Sequence, residues 1–277
     1  MELKYLICDP VYAPELPQPT ARSILIPGPQ GKLLSHLYLP GGVGPYPTVL
    51  LCHGYPGNEK NLDIAVALRR IGFAVMTFHY AGSWNSQGDF SLMNVLDDSN
   101  TVLDFLLAHA REYDLDPTRF AVVGHSMGGM VAAHLSAKRP ELRCGVLIAP
   151  WDPGRCFLLS GENQAAHDNL WEILSSAYGW LNGISQDGFV AELTAHAQEL
   201  CLEPLAPQLS RKPIFCLAGQ QDIDTPIPLH AGPLRDAIRA AGGQQLTYQE
   251  FPCDHSFSSL RITLIHAVAE FLAQQLG

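Results

Sequence analysis

The apolar run Phe120-Ala121-Val122-Val123 ends in Gly124-His125-Ser126-Met127-Gly128, and the helix-forming Met130-Val131-Ala132-Ala133 follows at once. A strand, an abrupt turn and the start of a helix must fit into fourteen residues here. The flanking glycines permit the sharp turn and let the helix approach the strand closely. A serine hydroxyl is thereby carried to the apex, at the end of a strand and the start of a helix. A Gly/Ser turn can be a plain connector, but the strand, the helix and the partners downstream argue for more.

The same strand–helix alternation runs along most of the chain. Thr48-Val49-Leu50-Leu51-Cys52, Phe73 to Phe78, Cys144 to Ile148 and Pro213 to Ala218 are continuous apolar runs. Strands of this kind must be covered on both faces, as in a central parallel sheet. Between them Leu62 to Ile71, Leu92 to Ala110 and Met127 to Lys138 read as helices. A helix near Leu234-Ala241, a strand at Gln245-Phe251 and a last helix over about Leu260-Leu276 follow. Ser23 to Ile26 and Leu33 to Leu39, joined by Pro27-Gly28-Pro29-Gln30-Gly31, read as a hairpin, and residues 1–21 as an arm over the surface. The expected fold class is α/β: a mostly parallel central sheet flanked by helices, in one domain over 1–277.

Residues 151–207 break the alternation. They hold three of the four tryptophans (Trp151, Trp171, Trp180) and helical stretches around 165–180 and 187–201. They read as an inserted helical cap above the carboxyl ends of the strands, where ligands bind in open α/β sheets. The tryptophans are the candidate pocket walls.

The formal net charge is −10, from 17 Lys+Arg against 27 Asp+Glu, which disfavours nucleic acid and anionic membranes as partners. The seven cysteines are odd in number and form no C-x-x-C pair, so they read as buried apolar residues in a reducing compartment. With no signal-like N-terminus and no apolar run long enough to span a bilayer, the expectation is a cytoplasmic protein. The eleven histidines show no metal-binding spacing, and no phosphate loop appears, so neither a metal nor a cofactor is expected.

A serine hydroxyl is a weak nucleophile. It needs a base to take its proton and a third group to orient that base. Asp222 and Asp224 lie in Gly219 to Pro226, after one apolar strand, and His255 lies in Pro252 to Phe257, after the next. Both loops belong to the sheet edge that carries the serine.

These residues resemble the α/β-hydrolase superfamily of serine hydrolases over nearly the whole chain. The likeness rests on His53-Gly54-Tyr55-Pro56-Gly57, the serine turn, Gly219 to Pro226 and Asp254-His255-Ser256-Phe257. Tyr80 to Ser83 with Gly88 to Phe90 is similar to small acyl esterases, including the cinnamoyl type. The resemblance implies Ser126 as nucleophile, Asp222 as orienting acid and His255 as general base. Asp224, the rival acid, is expected to satisfy loop backbone donors instead, and Asp254 to be a turn carboxylate. It implies the backbone N–H groups of Met127 and Tyr55 as oxyanion donors, since Pro56 has none. His53 and His125 are expected to be structural. The expected activity is hydrolysis of a small to medium apolar or aryl ester through an acyl-enzyme. A peptidase or amidase, and a thioesterase or acyltransferase, share the triad; a silent binding protein is the remaining alternative. Only about 46 residues precede the third strand, fewer than a separate N-terminal domain needs, which disfavours the peptidase. The expected partner is a small-molecule ester, with a homodimer left open.

Overall fold

In a computed structural model, residues 1–58 and 60–277 are described. Eight strands form one sheet: β1 (Thr20–Gly28), β2 (Gly31–Leu39), β3 (Tyr46–Cys52), β4 (Ala74–Phe78), β5 (Leu115–His125), β6 (Leu142–Ile148), β7 (Ile214–Gly219) and β8 (Leu246–Phe251). Their order across the sheet is β1-β2-β4-β3-β5-β6-β7-β8. The β1–β2 hairpin joins antiparallel at one edge, and every pairing from β4 to β8 is parallel. Burial follows this arrangement. Every residue of β4 and β7 is buried, while β2 alternates between buried and partly exposed positions.

The helices are α1 (Leu62–Arg70), α2 (Leu92–Ala108), α3 (Met127–Lys138), α4 (Pro153–Leu159), α5 (Gln164–Ser175), α6 (Gln186–Leu200), α7 (Ala206–Leu209), α8 (Ala231–Ala240) and α9 (Arg261–Leu276). The sheet splits the apolar interior in two. On one face Ile64 and Leu68 of α1 pack with Leu264, Val268 and Leu272 of α9 against Val49, Val123 and Val146. On the other, Val102 of α2, Met130 of α3 and Leu234 of α8 pack against Leu50, Val122 and Leu147. Each such fully buried aliphatic contributes roughly 1.5–3 kcal/mol. No helix among the described residues is long and apolar enough to cross a membrane.

The segment between β6 and β7 contains no strand among the described residues. It forms α4 to α7. α5 ends at Ser175, short of the expected 180. The hydroxyls of Ser175 and Ser176 bond back to the carbonyls of Glu172 and Ile173, and Gly179 turns the chain at φ +86°. α4 is not foreseen in the sequence reading, although Asp152-Pro153 is a helix-start signature: the Asp152 carboxylate accepts the Arg155 N–H at 2.9 Å, with proline in the first turn. β5 begins five residues before the expected Phe120, at Leu115. The arm at 1–21 is anchored to the body of the protein. Leu6 is buried, and the Arg70 guanidinium donates to the carbonyls of Tyr5 and Leu6.

Candidate active site

The β5–α3 turn is tight because its glycines allow it. A Cβ on Gly124 would stand 1.8 Å from the Gly128 carbonyl oxygen, and one on Gly128 would stand 2.1 Å from that of Cys52. Ser126 takes φ +60° and ψ −120°, a region a non-glycine residue seldom occupies, at the cap position of α3. Its N–H donates to Ile148 O at 2.9 Å, and its carbonyl accepts from Trp151 at 3.0 Å. The backbone is thus held on both sides while the side chain faces a cavity.

That cavity, about 250 Å³, is lined by Ser126 and His255 together with Tyr55, Asn169, Ile173 and Asp224 among others. A larger space of about 420 Å³ between α2 and α6 contains neither Ser126 nor His255. His255 Nδ1 lies 2.8 Å from Asp222 Oδ2. Asp222 is also bonded by the Thr225 hydroxyl at 2.7 Å and by the N–H groups of Thr225 and Asp224 at 2.7 and 2.9 Å. Burial works to raise the Asp222 pKa, but the imidazole and the Thr225 donors outweigh it and hold the carboxyl below its usual range.

The backbone-donor part expected of Asp224 falls to Asp222 as well. Asp222, not Asp224, takes up the loop's backbone donors while meeting His255. The Asp224 side chain is exposed, and its carbonyl accepts from Asn169 Nδ2 at 2.7 Å. The physical reason is the turn itself: the chain reverses over 222–225, so the N–H groups two and three residues ahead point back at the first carboxylate. Asp222, Asp224 and His255 also bring three potential metal-ligand atoms within 4.8 Å of one another. Both Asp222 oxygens already accept hydrogen bonds, so this is a closed network more than an open ligand set.

Asp254 is a turn carboxylate, accepting from Ser258 N–H at 2.7 Å. His53 bonds within its loop, Nδ1 to Gly54 O at 2.7 Å. His125 lies nearer the chemistry than expected, its ring centroid 4.7 Å from that of His255 and its Nε2 2.9 Å from the His255 carbonyl. Burial lowers its pKa to about 3 and keeps the ring neutral there. Thr225 is the residue the sequence reading missed. Its signal was its place three residues after Asp222, where a hydroxyl can turn back to a carboxylate.

Met127 is fully buried at the first turn of α3. The Gly54-Tyr55 loop stands beside Ser126, since a Cβ on Gly54 would lie 2.9 Å from the Ser126 Cβ. The tryptophans are placed differently from the sequence expectation. Trp151 is wholly buried against Tyr55, ring centroids 6.2 Å apart. Trp171 packs partly buried against the core, and Trp180 is 64% exposed beside Trp84. None of the three lines the cavity at Ser126; α5 presents Asn169, Glu172, Ile173 and Ser176 to it.

Among curated relatives, the chain is 31% identical over 157 residues to an uncharacterized protein of Mycobacterium tuberculosis (strain CDC 1551 / Oshkosh), covering 51% of this chain and 54% of that one. It is 28% identical over 119 residues to cutinase 2 of Thermobifida cellulosilytica, covering 42% and 44%. The chain thus spans about half the length of these relatives. In structure it is similar to a Pyrococcus furiosus esterase, with TM-score 0.68, 16% identity and coverage of 93% and 94%. It is also similar to the acylaminoacyl peptidase of Pyrococcus horikoshii, with TM-score 0.71, 14% identity and coverage of 94% and 42%. At such identities these likenesses speak for the fold alone. The sequence itself matches the alpha/beta hydrolase family over residues 49–262, from β3 through the serine turn and the Asp222 loop into α9. With that match spanning well over half of its length, the chain belongs to the alpha/beta hydrolase family.

Proposed function

We propose that the protein is a serine esterase that hydrolyses carboxylic esters through an acyl-enzyme. The observation that carries this reading is the 2.8 Å contact between His255 Nδ1 and Asp222 Oδ2, beside a cavity that His255 shares with Ser126. With its Nδ1 proton held by a carboxylate, the imidazole is left with Nε2 as a free base. Nε2 takes the Ser126 proton as Oγ attacks the ester carbonyl. The N–H groups of Met127 and Tyr55 hold the developing oxyanion, aided by the α3 N-terminus. The imidazolium, stabilised by Asp222, returns its proton to the departing alkoxide, and the acyl group stays on Ser126. Water then attacks with His255 again as base, releasing the acid and restoring the serine.

The cavity supports a small ester. At about 250 Å³ it lies below the usual range for drug-sized ligands. Tyr55, Ile173 and Ile223 give it apolar walls, and Glu172 and Asp224 disfavour a negatively charged acid. The tryptophans that favoured an aryl acid are absent from its lining. A peptidase is the second reading, favoured by the same two carboxylates, which would accept a peptide ammonium group.

A rate panel tests this. It compares p-nitrophenyl esters of rising chain length, methyl cinnamates and peptide anilides, each with Ser126→Ala beside the unaltered protein. Turnover of short esters that falls by about 10³-fold or more in the variant, with anilides inert, is the expected outcome. Ester hydrolysis that survives Ser126→Ala removes the serine from the mechanism, and anilide turnover equal to ester turnover moves the protein to the peptidases.

A further inference from the structure

We propose that His230 is a positioning residue: acting through Asn169 on α5, it holds the loop that carries Asp222 against His255. This rests on the reading of Ser126, Asp222 and His255 as the triad. The Asp152 N–H donates to His230 Nδ1 at 3.1 Å. A ring nitrogen that accepts carries no proton, so the proton of the neutral ring sits on Nε2. Nε2–H in turn donates to Asn169 Oδ1 at 3.1 Å. The amide is thereby oriented, and Asn169 Nδ2 donates to Asp224 O at 2.7 Å. The Asp224 N–H donates to Asp222 Oδ1 at 2.9 Å, and Asp222 Oδ2 meets His255 Nδ1 at 2.8 Å. The chain of bonds is unbroken from the start of α4 to the base.

Three features separate this chain from ordinary packing. His230 stands at the cap position of α8, yet its side chain makes no cap bond to that helix. His230 is 0% exposed and Asp152 1%, so solvent does not stand ready to replace their bonds. Burial also lowers the His230 pKa to about 3, which fixes the neutral ring at any pH well above that. Finally, α5 is tied at its other end too. The Tyr55 hydroxyl donates to Leu174 O at 2.7 Å, so the helix that lines the cavity grips both the acid loop and the loop of the second oxyanion donor.

Two substitutions divide the functions of the ring. His230→Asn places an amide near the Nδ1 position, keeping an acceptor for Asp152 but losing the donor to Asn169. His230→Gln reaches the Nε2 position and restores that donor. On a short p-nitrophenyl ester, His230→Asn is expected to lower kcat about tenfold with KM within about twofold, and His230→Gln to stay within about threefold of the unaltered kcat. Asn169→Asp, which loses the donor to Asp224, is expected to match His230→Asn, and the double variant to lose no more than either alone. A readout free of turnover accompanies these rates: the downfield proton resonance of His255 Nδ1–H, kept in His230→Gln and broadened or shifted in His230→Asn. Equal kcat loss in the two His230 variants, tracking melting temperature, overturns the proposal. If both fail to fold, Asn169→Asp decides: an unchanged kcat and an unchanged His255 resonance overturn it. Should esters survive Ser126→Ala, the functional reading fails while the resonance still tests the relay.

Discussion

Ser126 combines positive φ with a place on the cavity wall, and such backbone costs of order 1–3 kcal/mol that the surroundings must offset. The Gly124 and Gly128 contacts and the two backbone bonds of Ser126 do so. The proposed acid is tested at the same scale. Asp222→Asn keeps the shape but turns a carboxylate acceptor into an amide, which no longer stabilises the imidazolium or selects the Nδ1–H tautomer. A kcat loss of about 10³–10⁴-fold is expected, with KM little changed. Asp224→Asn, which leaves the 222–225 backbone bonds intact, is expected to cost less than about threefold. Steady-state kinetics on the two purified variants check this, and a larger loss in Asp224→Asn would reverse the assignment. The placement of Ser126 and His255 at one cavity was legible in the sequence because each is the one residue of its chemistry at its loop apex. Asp222 and Asp224 were separable there only by their place in the loop, because their difference lies in the direction of backbone donors, which a one-dimensional pattern does not carry.

At the scale of elements, α5 is where sequence and structure diverge most. The aromatic content of residues 151–207 pointed to a tryptophan-lined wall, yet apolar pattern reports which residues are buried, not which cavity they face. Trp151 is wholly buried, Trp171 packs against the core and Trp180 is exposed beside Trp84, leaving Asn169, Glu172 and Ser176 to line the cavity with Ser126. The connection of α5 to the Tyr55 loop has its own test. Tyr55→Phe keeps the backbone N–H and the ring contacts to Phe90 and Trp151 but deletes the hydroxyl bond to Leu174 O. It is expected to lower kcat by about three- to tenfold without moving the acyl-chain preference. Measuring kcat and KM across p-nitrophenyl acetate, butyrate and octanoate separates the outcomes. A changed chain-length preference at constant kcat would mean that the hydroxyl shapes the cavity rather than bracing the loop.

For the molecule as a whole, the parallel sheet was legible because strands buried on both faces leave uninterrupted apolar runs, as in β3, β4 and β7. The buried ionisable groups left no such trace, and they set the response to pH. Burial lowers the pKa of His79, His125 and His230 to about 3 and of His53 and His134 to about 4. The unfolded chain protonates these rings near ~6.5. Between about pH 4 and 6.5 the unfolded state therefore binds more protons at these five sites, and stability falls as pH falls. Two carboxyls oppose this. Burial raises Asp98 to about 6 and Asp152 to about 7, so at these the folded state binds the extra protons and stability falls as pH rises from about 4 toward those values. Five sites outweigh two, and the net is acid lability below about pH 6 with little change above pH 7. Thermal unfolding between pH 4.5 and 8 measures it. His134 lies on α3 away from the proposed triad, so His134→Leu isolates one contribution: the slope of stability against pH is expected to become shallower by about one proton in the acid range, with ester turnover near that of the unaltered protein. An unaltered slope in that variant would mean that His134 is protonated in the folded state as readily as in the unfolded chain, and the account of acid lability as buried neutral histidine would fail with it.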